Sequence, residues 1–291
     1  MIRHIERRLF KTVSNESLKK QLKGFLKSKR ALAIPVTYLL LFVSLMAIIS
    51  MTYSFAVVKI SSRGALLKAS VAKQNMQFLD DAVHSVAWSF SASEVVYMDN
   101  CGGIFKTEST AKNLLLNFTD EQTFSTVVFN SPVGKTYYKL DSSEFDEDGS
   151  YIRGDSRAII SQIAFTMTQL CVTTVDDAKQ IVLSYRPLAT AAVIGTSSGR
   201  PLNLIRINLI NLNSSANLSQ QEKFYLKVTS VNVTTTKTRY EFNQSVSSLT
   251  IRSALDERET AVWLPISSVS DGAIVDVECD VCYINIQRAE V

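Results

Sequence analysis

The chain has 291 residues, with 31 Lys and Arg against 27 Asp and Glu for a formal net charge of +4, and it carries two histidines, four cysteines and ten glycines. Scarce glycine argues against phosphate-cradling loops, and no P-loop, GxGxxG fingerprint or GxSxG elbow occurs. The histidines, His4 and His84, both precede residue 94, which removes His-based triads and most zinc-enzyme sites from the rest of the chain.

In chain order the first element is a basic leader, residues 1–30. It holds ten Lys or Arg and two acids, a surplus of eight, so the remaining 261 residues carry a net −4. Ile2, Ile5, Leu9 and Val13, then Leu18, Leu22, Phe25 and Leu26, recur at helical spacing on either side of Ser14-Asn15-Glu16-Ser17. This pattern predicts two short amphipathic helices, with the Ser/Asn cluster as break and N-cap. Such a segment fits a membrane surface, a cytoplasmic assembly partner or a plain topogenic leader. Nucleic-acid binding fits poorly, because the basic residues are tethered at a membrane.

Residues 31–58, ALAIPVTYLLLFVSLMAIISMTYSFAVV, contain no Asp, Glu, Lys or Arg. As a helix they extend about 42 Å, against a hydrocarbon core of about 30 Å, which predicts a single membrane span. Lys27, Lys29 and Arg30 abut its start, while only Lys59 and Arg63 closely follow its end. The positive-inside rule then puts the N-terminus in the cytoplasm and residues 60–291 outside. A cleaved secretory signal fits poorly, since its apolar core would be shorter and end at a small-residue site.

The junction Lys29-Arg30-Ala31-Leu32-Ala33-Ile34-Pro35-Val36, followed by the apolar run, resembles the start of archaeal type IV pilin-like and pseudopilin-like proteins. The resemblance covers residues 27–60. It implies a membrane-held structural subunit cut by a prepilin peptidase after Ala31, with Arg30 and Ala31 as recognition pair and Leu32 as the new N-terminus. It also implies assembly machinery and identical subunits packed through the helix as partners. Val36 stands at the fifth position after that cut, where bacterial pilins carry Glu.

No proline or turn cluster interrupts residues 59–93, and Ala65, Ala69, Ala72, Met76, Leu79, Val83, Val86 and Phe90 form a heptad stripe. The helix is therefore expected to continue to about residue 93. Its stripe would pack either under the protein's own β domain or against identical helices.

From Glu94 the pattern changes to period two. Val95-Val96-Tyr97-Met98, the turn signal at 99–103 and Ile104-Phe105-Lys106 predict a hairpin. Further strands are expected at 114–116, 126–129, 137–140, 158–173, 180–186, 203–212, 223–234, 238–243, 248–252, 261–266 and 273–287. The whole reads as α+β: a long N-terminal transmembrane helix extended outside the membrane, then an antiparallel β-sandwich-like ectodomain at 94–291. That ectodomain is one domain, or two with a seam near 150–157.

Chemistry-bearing residues are few. The acidic loop with Asp141, Glu144, Asp146, Glu147 and Asp148 lacks EF-hand spacing and reads as solvated. Cys101, Cys171, Cys279 and Cys282 lie on the outer side, where disulfides persist. Two disulfides, one disulfide with two buried thiols, four buried thiols and a zinc site all remain open, and spacing does not give a pairing. Cys279 and Cys282, three apart on a strand, should face opposite ways. Sequons past the span offer Asn117, Asn213, Asn217, Asn232 and Asn243 for N-glycosylation. The expectation is a glycosylated cell-surface protein of the single-pass kind, with a lipid bilayer as partner and with no cofactor or enzymatic activity. The alternatives are a permanently anchored ectodomain that binds envelope or partner proteins, and a membrane-tethered enzyme.

Overall fold

The computed structural model describes the backbone of residues 3–140, 148–256 and 258–290, with side chains from residue 35 onward. One helix, α1 (Arg3–Val86), runs through 84 residues. Compact packing divides the chain into two units, Met1–Arg63 and Gly64–Val291.

In the first unit the helix is unbroken where two helices were expected. Ser, Asn and Glu at 14–17 stay helical, because these residues cost only a few tenths of a kcal/mol each inside a helix while ending one strands four backbone groups. Pro35 also lies inside α1.

In the second unit, α1 from Gly64 onward packs against its own β domain. Ala69, Ala72, Met76, Leu79, Val83 and Val86 are buried in one apolar cluster with Phe105, Tyr138, Leu183, Leu226 and Ile284 from the strands. The heptad stripe is thus spent within the molecule. Its last expected member is not part of it: Phe90 is 70% exposed. The helix ends at Val86 because the chain then turns through left-handed backbone at Trp88 (φ 67°) and Ser91 (φ 63°). Ser91 N–H and Ser230 N–H bond to the carbonyls of Ser230 and Ala92, so a strand captures the segment that would have continued the helix.

Among the described residues thirteen strands follow. Sheet A is ordered β1 (Ser93–Met98), β10 (Phe224–Phe242), β13 (Ala273–Arg288), β8 (Arg200–Asn211), β7 (Leu188–Ser197). Sheet B is ordered β12 (Arg258–Pro265), β11 (Ser248–Leu255), β2 (Ile104–Thr119), β3 (Ser125–Leu140), β6 (Ala178–Tyr185), β5 (Thr168–Val175), β4 (Tyr151–Arg153), with β9 (Ser219–Gln220) on β2. Pairing is antiparallel except between β8 and β13, which run parallel.

The expected hairpin at 95–106 does not form, since β1 pairs with β10 and β2 pairs with β3, in different sheets. The connection is instead pinned to the helix. Asn75 Nδ2 donates to the Asp99 carbonyl (2.8 Å), its Oδ1 accepts from the Asp99 N–H (3.2 Å), and Asn100 Oδ1 accepts from the Gly102 N–H (2.8 Å). The two strands expected at 223–234 and 238–243 are one, β10, with a register shift between Ser230 and Asn232. Strand β7 has no counterpart in the sequence reading. Residues on both sides of 150–157 belong to the same unit.

Two clusters make up the interior. The first gathers around the helix, and the second joins Leu114, Leu116 and Phe118 to Ile205, Ile207, Ile251 and Val275. Strand β13 serves both: Val275, Val277, Cys279 and Val281 enter the second, and Cys282, Ile284 and Ile286 enter the first. Its alternation VDVECDVC places Asp276, Glu278 and Asp280 on the opposite side from Val275, Val277, Cys279 and Val281, where Arg239, Lys237 and Arg206 meet them. Truncating Leu79 to Ala should cost about 3 kcal/mol by the usual cavity cost, whereas Phe90→Ala should change stability by less than about 0.5 kcal/mol. Chemical denaturation of the full chain in detergent measures both, and equal losses would refute the placement of the stripe.

Candidate functional site

From residue 35 to 61 every described side chain of α1 is exposed. These include Leu39, Leu40, Leu41, Phe42, Val43, Ile48, Ile49, Phe55 and Ile60. The hydroxyls of Ser44, Ser50 and Thr52 donate to the carbonyls of Leu41, Met46 and Ile48, each at 2.8 Å, so these polar groups are satisfied inside the helix itself. That is what an apolar solvent demands of a polar side chain. Among the described residues one helix is long and apolar enough to cross a membrane, with mean hydropathy 2.1 over its best window and none of that window buried. Arg30, Ala31 and Leu32 lie within α1, and their side chains fall outside the described ones.

Farther along α1, Asp80 is buried and fully engaged. Its carboxylate accepts from Arg153 Nη1 (2.7 Å), Thr168 Oγ1 (2.8 Å) and Tyr185 Oη (2.8 Å). His84 Nε2 sits 2.8 Å from Thr168 Oγ1 and 3.5 Å from Asp80, and its ring meets Tyr185 edge-on at 5.7 Å. His84 therefore reaches the β domain, although its sequence position lies before it. Burial, then the Asp80 charge, pushes the Tyr185 hydroxyl well above its ordinary pKa, so it stays a donor. The His–Thr–Asp grouping is not a nucleophile with its base. Thr168 is fully buried and commits its proton to Asp80, so the cluster ties helix to sheet.

A second polar knot surrounds Arg186, which is fully buried. Its guanidinium donates to the carbonyls of Thr166 (3.0 Å) and Arg157 (3.1 Å) and to the Asp155 carboxylate. Gln169 Nε2 donates to the carbonyls of Asp155 and Arg157, each at 2.9 Å. Gly154 (φ 79°) enters this loop where a Cβ would lie 2.1 Å from the Thr168 carbonyl oxygen, so only glycine fits. These donors replace a strand across much of the 158–173 stretch. The sequence reading missed Asp80 and Arg186. The available signals were a carboxylate one residue past Leu79 in the apolar stripe, and an arginine ending the run QIVLSY.

No family model, no curated protein and no solved structure matches this chain.

The four cysteines are free thiols in the structure, one of the states that the sequence left open. As predicted from strand geometry, Cys279 and Cys282 enter different clusters, so the CxxC holds nothing between its sulfurs. Cys282 Sγ accepts from the Trp88 N–H at 3.4 Å. Of the acidic loop, 141–147 lie outside the described residues and Asp148 is exposed. Among the described residues no group of three or more His, Cys, Asp or Glu could hold a metal.

The five sequons divide by exposure. Asn217, Asn232 and Asn243 are exposed. Asn117 on β2 and Asn213 are half-buried, with their side-chain oxygens closed to solvent and unpaired.

Two measurements follow. Hydrogen bonds from Arg157 and then Arg186 hold the Asp155 carboxyl below the usual carboxylate range. Its ionised form is therefore stabilised on folding. That stability is complete above the ordinary Asp pKa of about 3.9 and drains as pH falls through the depressed value. The thermal midpoint should fall as pH drops below about 4, and Asp155→Asn should lower the midpoint at neutral pH while flattening that acid slope. An unchanged slope would remove Asp155 as its cause. Burial also pushes the Cys279 thiol to about 11 and raises Cys101 and Cys171. At about pH 8 iodoacetamide should label the folded protein slowly at these three and all four cysteines after denaturation, whereas non-reducing mass spectrometry showing a disulfide would overturn the free-thiol state.

Proposed function

We propose that the chain is a cell-surface structural subunit resembling archaeal type IV pilins and pseudopilins, single-pass, with its N-terminus cytoplasmic and a sandwich-like β domain facing outward. What carries the reading is the change of surroundings along α1. Residues 69–86 bury one stripe in their own domain, while residues 35–61 leave apolar side chains exposed all round. A large apolar side chain held in water forgoes about 1.5–3 kcal/mol, so this segment requires lipid or other apolar helices. The bilayer is the first such partner, and identical helices are the second once subunits assemble. The ten basic residues of the leader support the cytoplasmic start. The role is mechanical: the helix anchors or packs, and the β domain makes outward contacts. A prepilin peptidase and assembly machinery are the processing partners, with Arg30, Ala31 and Leu32 at the cut.

One observation favours the permanently anchored alternative. The helix continues unbroken from Arg3 through the span, so leader and anchor form one element. The N-terminal residue of the mature protein, read by mass spectrometry from native membranes, separates the two. Leu32 is the expected result. A start at Met1 or Ile2 would mean a retained basic leader and an anchored surface module, and would sink the pilin-like reading.

A further inference from the structure

Sheet A has an open edge. Strand β10 is covered by β1 only over residues 224–229, and Ser230 is bonded to residues 91 and 92. From Asn232 to Phe242 its pairing partner among the described residues is β13 alone, on one side. Thr234, Thr235, Thr236, Lys237, Thr238 and Arg239 are all exposed. A run of β-branched residues with free backbone donors and acceptors is a template for another strand. Charges are the usual guard, but here they are answered. Lys237 Nζ pairs with Glu278 and Arg239 Nε with Asp276, each at 2.6 Å, on the neighbouring strand of the same sheet.

Two of the three exposed sequons stand at the ends of this edge. Asn232 follows the register shift where β1's cover stops, and Asn243 follows the last residue of β10. About 35 Å of strand separates them. The hydroxyl residues of these sequons, Thr234 and Ser245, are exposed too, as is Ser219 of the Asn217 sequon. The other two sequons are closed by the fold. The Thr119 hydroxyl is buried and donates to the Phe124 carbonyl (2.6 Å), and the Ser215 hydroxyl is buried and donates to the Ile284 carbonyl (3.3 Å). Asn117 lies on β2 between β3 and β11, with its side-chain oxygen closed to solvent.

We infer that the β domain carries N-linked glycans at Asn217, Asn232 and Asn243 and none at Asn117 or Asn213, and that the glycans at Asn232 and Asn243 guard the open edge of β10 against pairing with other chains. The inference rests on the outward placement of the domain proposed above. The donor is a lipid-phosphate-linked oligosaccharide. The asparagine Nδ2–C1 bond forms as the anomeric C1–O bond to the lipid phosphate breaks. The phosphate leaves with the bonding pair, and the amide proton goes to it.

Glycopeptide mass spectrometry of the full chain from native membranes, run beside external protease digestion of intact cells, is the test. Expected are sugar masses on Asn217, Asn232 and Asn243, with Asn117 and Asn213 bare, in a domain that external protease cleaves. The double variant Asn232→Gln/Asn243→Gln should show a several-fold rise in cross-linked dimer, Asn217→Gln should not, and adding Thr236→Lys to the double variant should reverse the rise. Bare Asn232 and Asn243 on a protease-accessible domain would overturn this inference and leave the outward placement standing. Sugar on Asn117 or Asn213, or no rise in dimer, would overturn it likewise. A domain shielded from external protease would instead bring down the outward placement, and the glycans with it.

Discussion

The structure depends on covering one face of a helix that two sheets cannot do without. From Ala69 to Val86 the stripe is small at its start and large at its end, and both sheets send their apolar residues to it. Remove the helix and Phe105, Tyr138, Leu183, Leu226 and Ile284 face water together, at about 1.5–3 kcal/mol for each fully buried large side chain. The second cluster, by contrast, is sheet on sheet and contains no helical residue. The long strands β2, β8 and β13 run through both clusters, so a helix–sheet core and a sheet–sheet core are joined covalently within single strands.

The polar knots follow from that constraint. A helix laid on a sheet by apolar contact alone can slide and rotate. Asp80 fixes the rotation, because its three donors come from β4, β5 and β6. A buried carboxylate is tolerable only when its lone pairs are filled, and removing one partner of such a pair costs about 3–5 kcal/mol. Arg186 does the same for the 154–167 loop, whose carbonyls would otherwise be buried without donors. The ion pairs across β10, β13 and β8 are different in kind. Their cationic ends are open to solvent, where water and salt screen them, so each adds little to stability.

Much of this was legible in the sequence where a single physical rule dominates. The apolar run, the stripe and the alternation of β13 each follow from burial, and the opposite facing of Cys279 and Cys282 follows from the pleat. What was not legible depends on long-range partners. The turn at 99–103 has hairpin chemistry, but Asn75, some 24 residues away, decides where it goes. The helix stop at Val86 is set by Ser230 capturing the chain, not by any local breaker. Strand β7, LATAAVIGTS, is built of small residues and leaves Val193 and Ile194 exposed at a sheet edge, so it lacks the pattern by which strands are read.

The same distinction orders the functional surfaces. A sequon is a local motif, and five of them look alike in the sequence, yet the fold separates them by whether the hydroxyl residue is exposed or is buried with its hydroxyl spent on a neighbouring backbone carbonyl. A strand of Val and Thr reads as stable wherever it falls, and only the topology reveals that half of β10 has no neighbour on one side. The molecule has two such surfaces: an apolar helix exposed all round, and a strand edge with backbone left open on one side. The first is marked by an absence of charge over 28 residues, which no context can disguise. The second is marked only by what stands at its two ends.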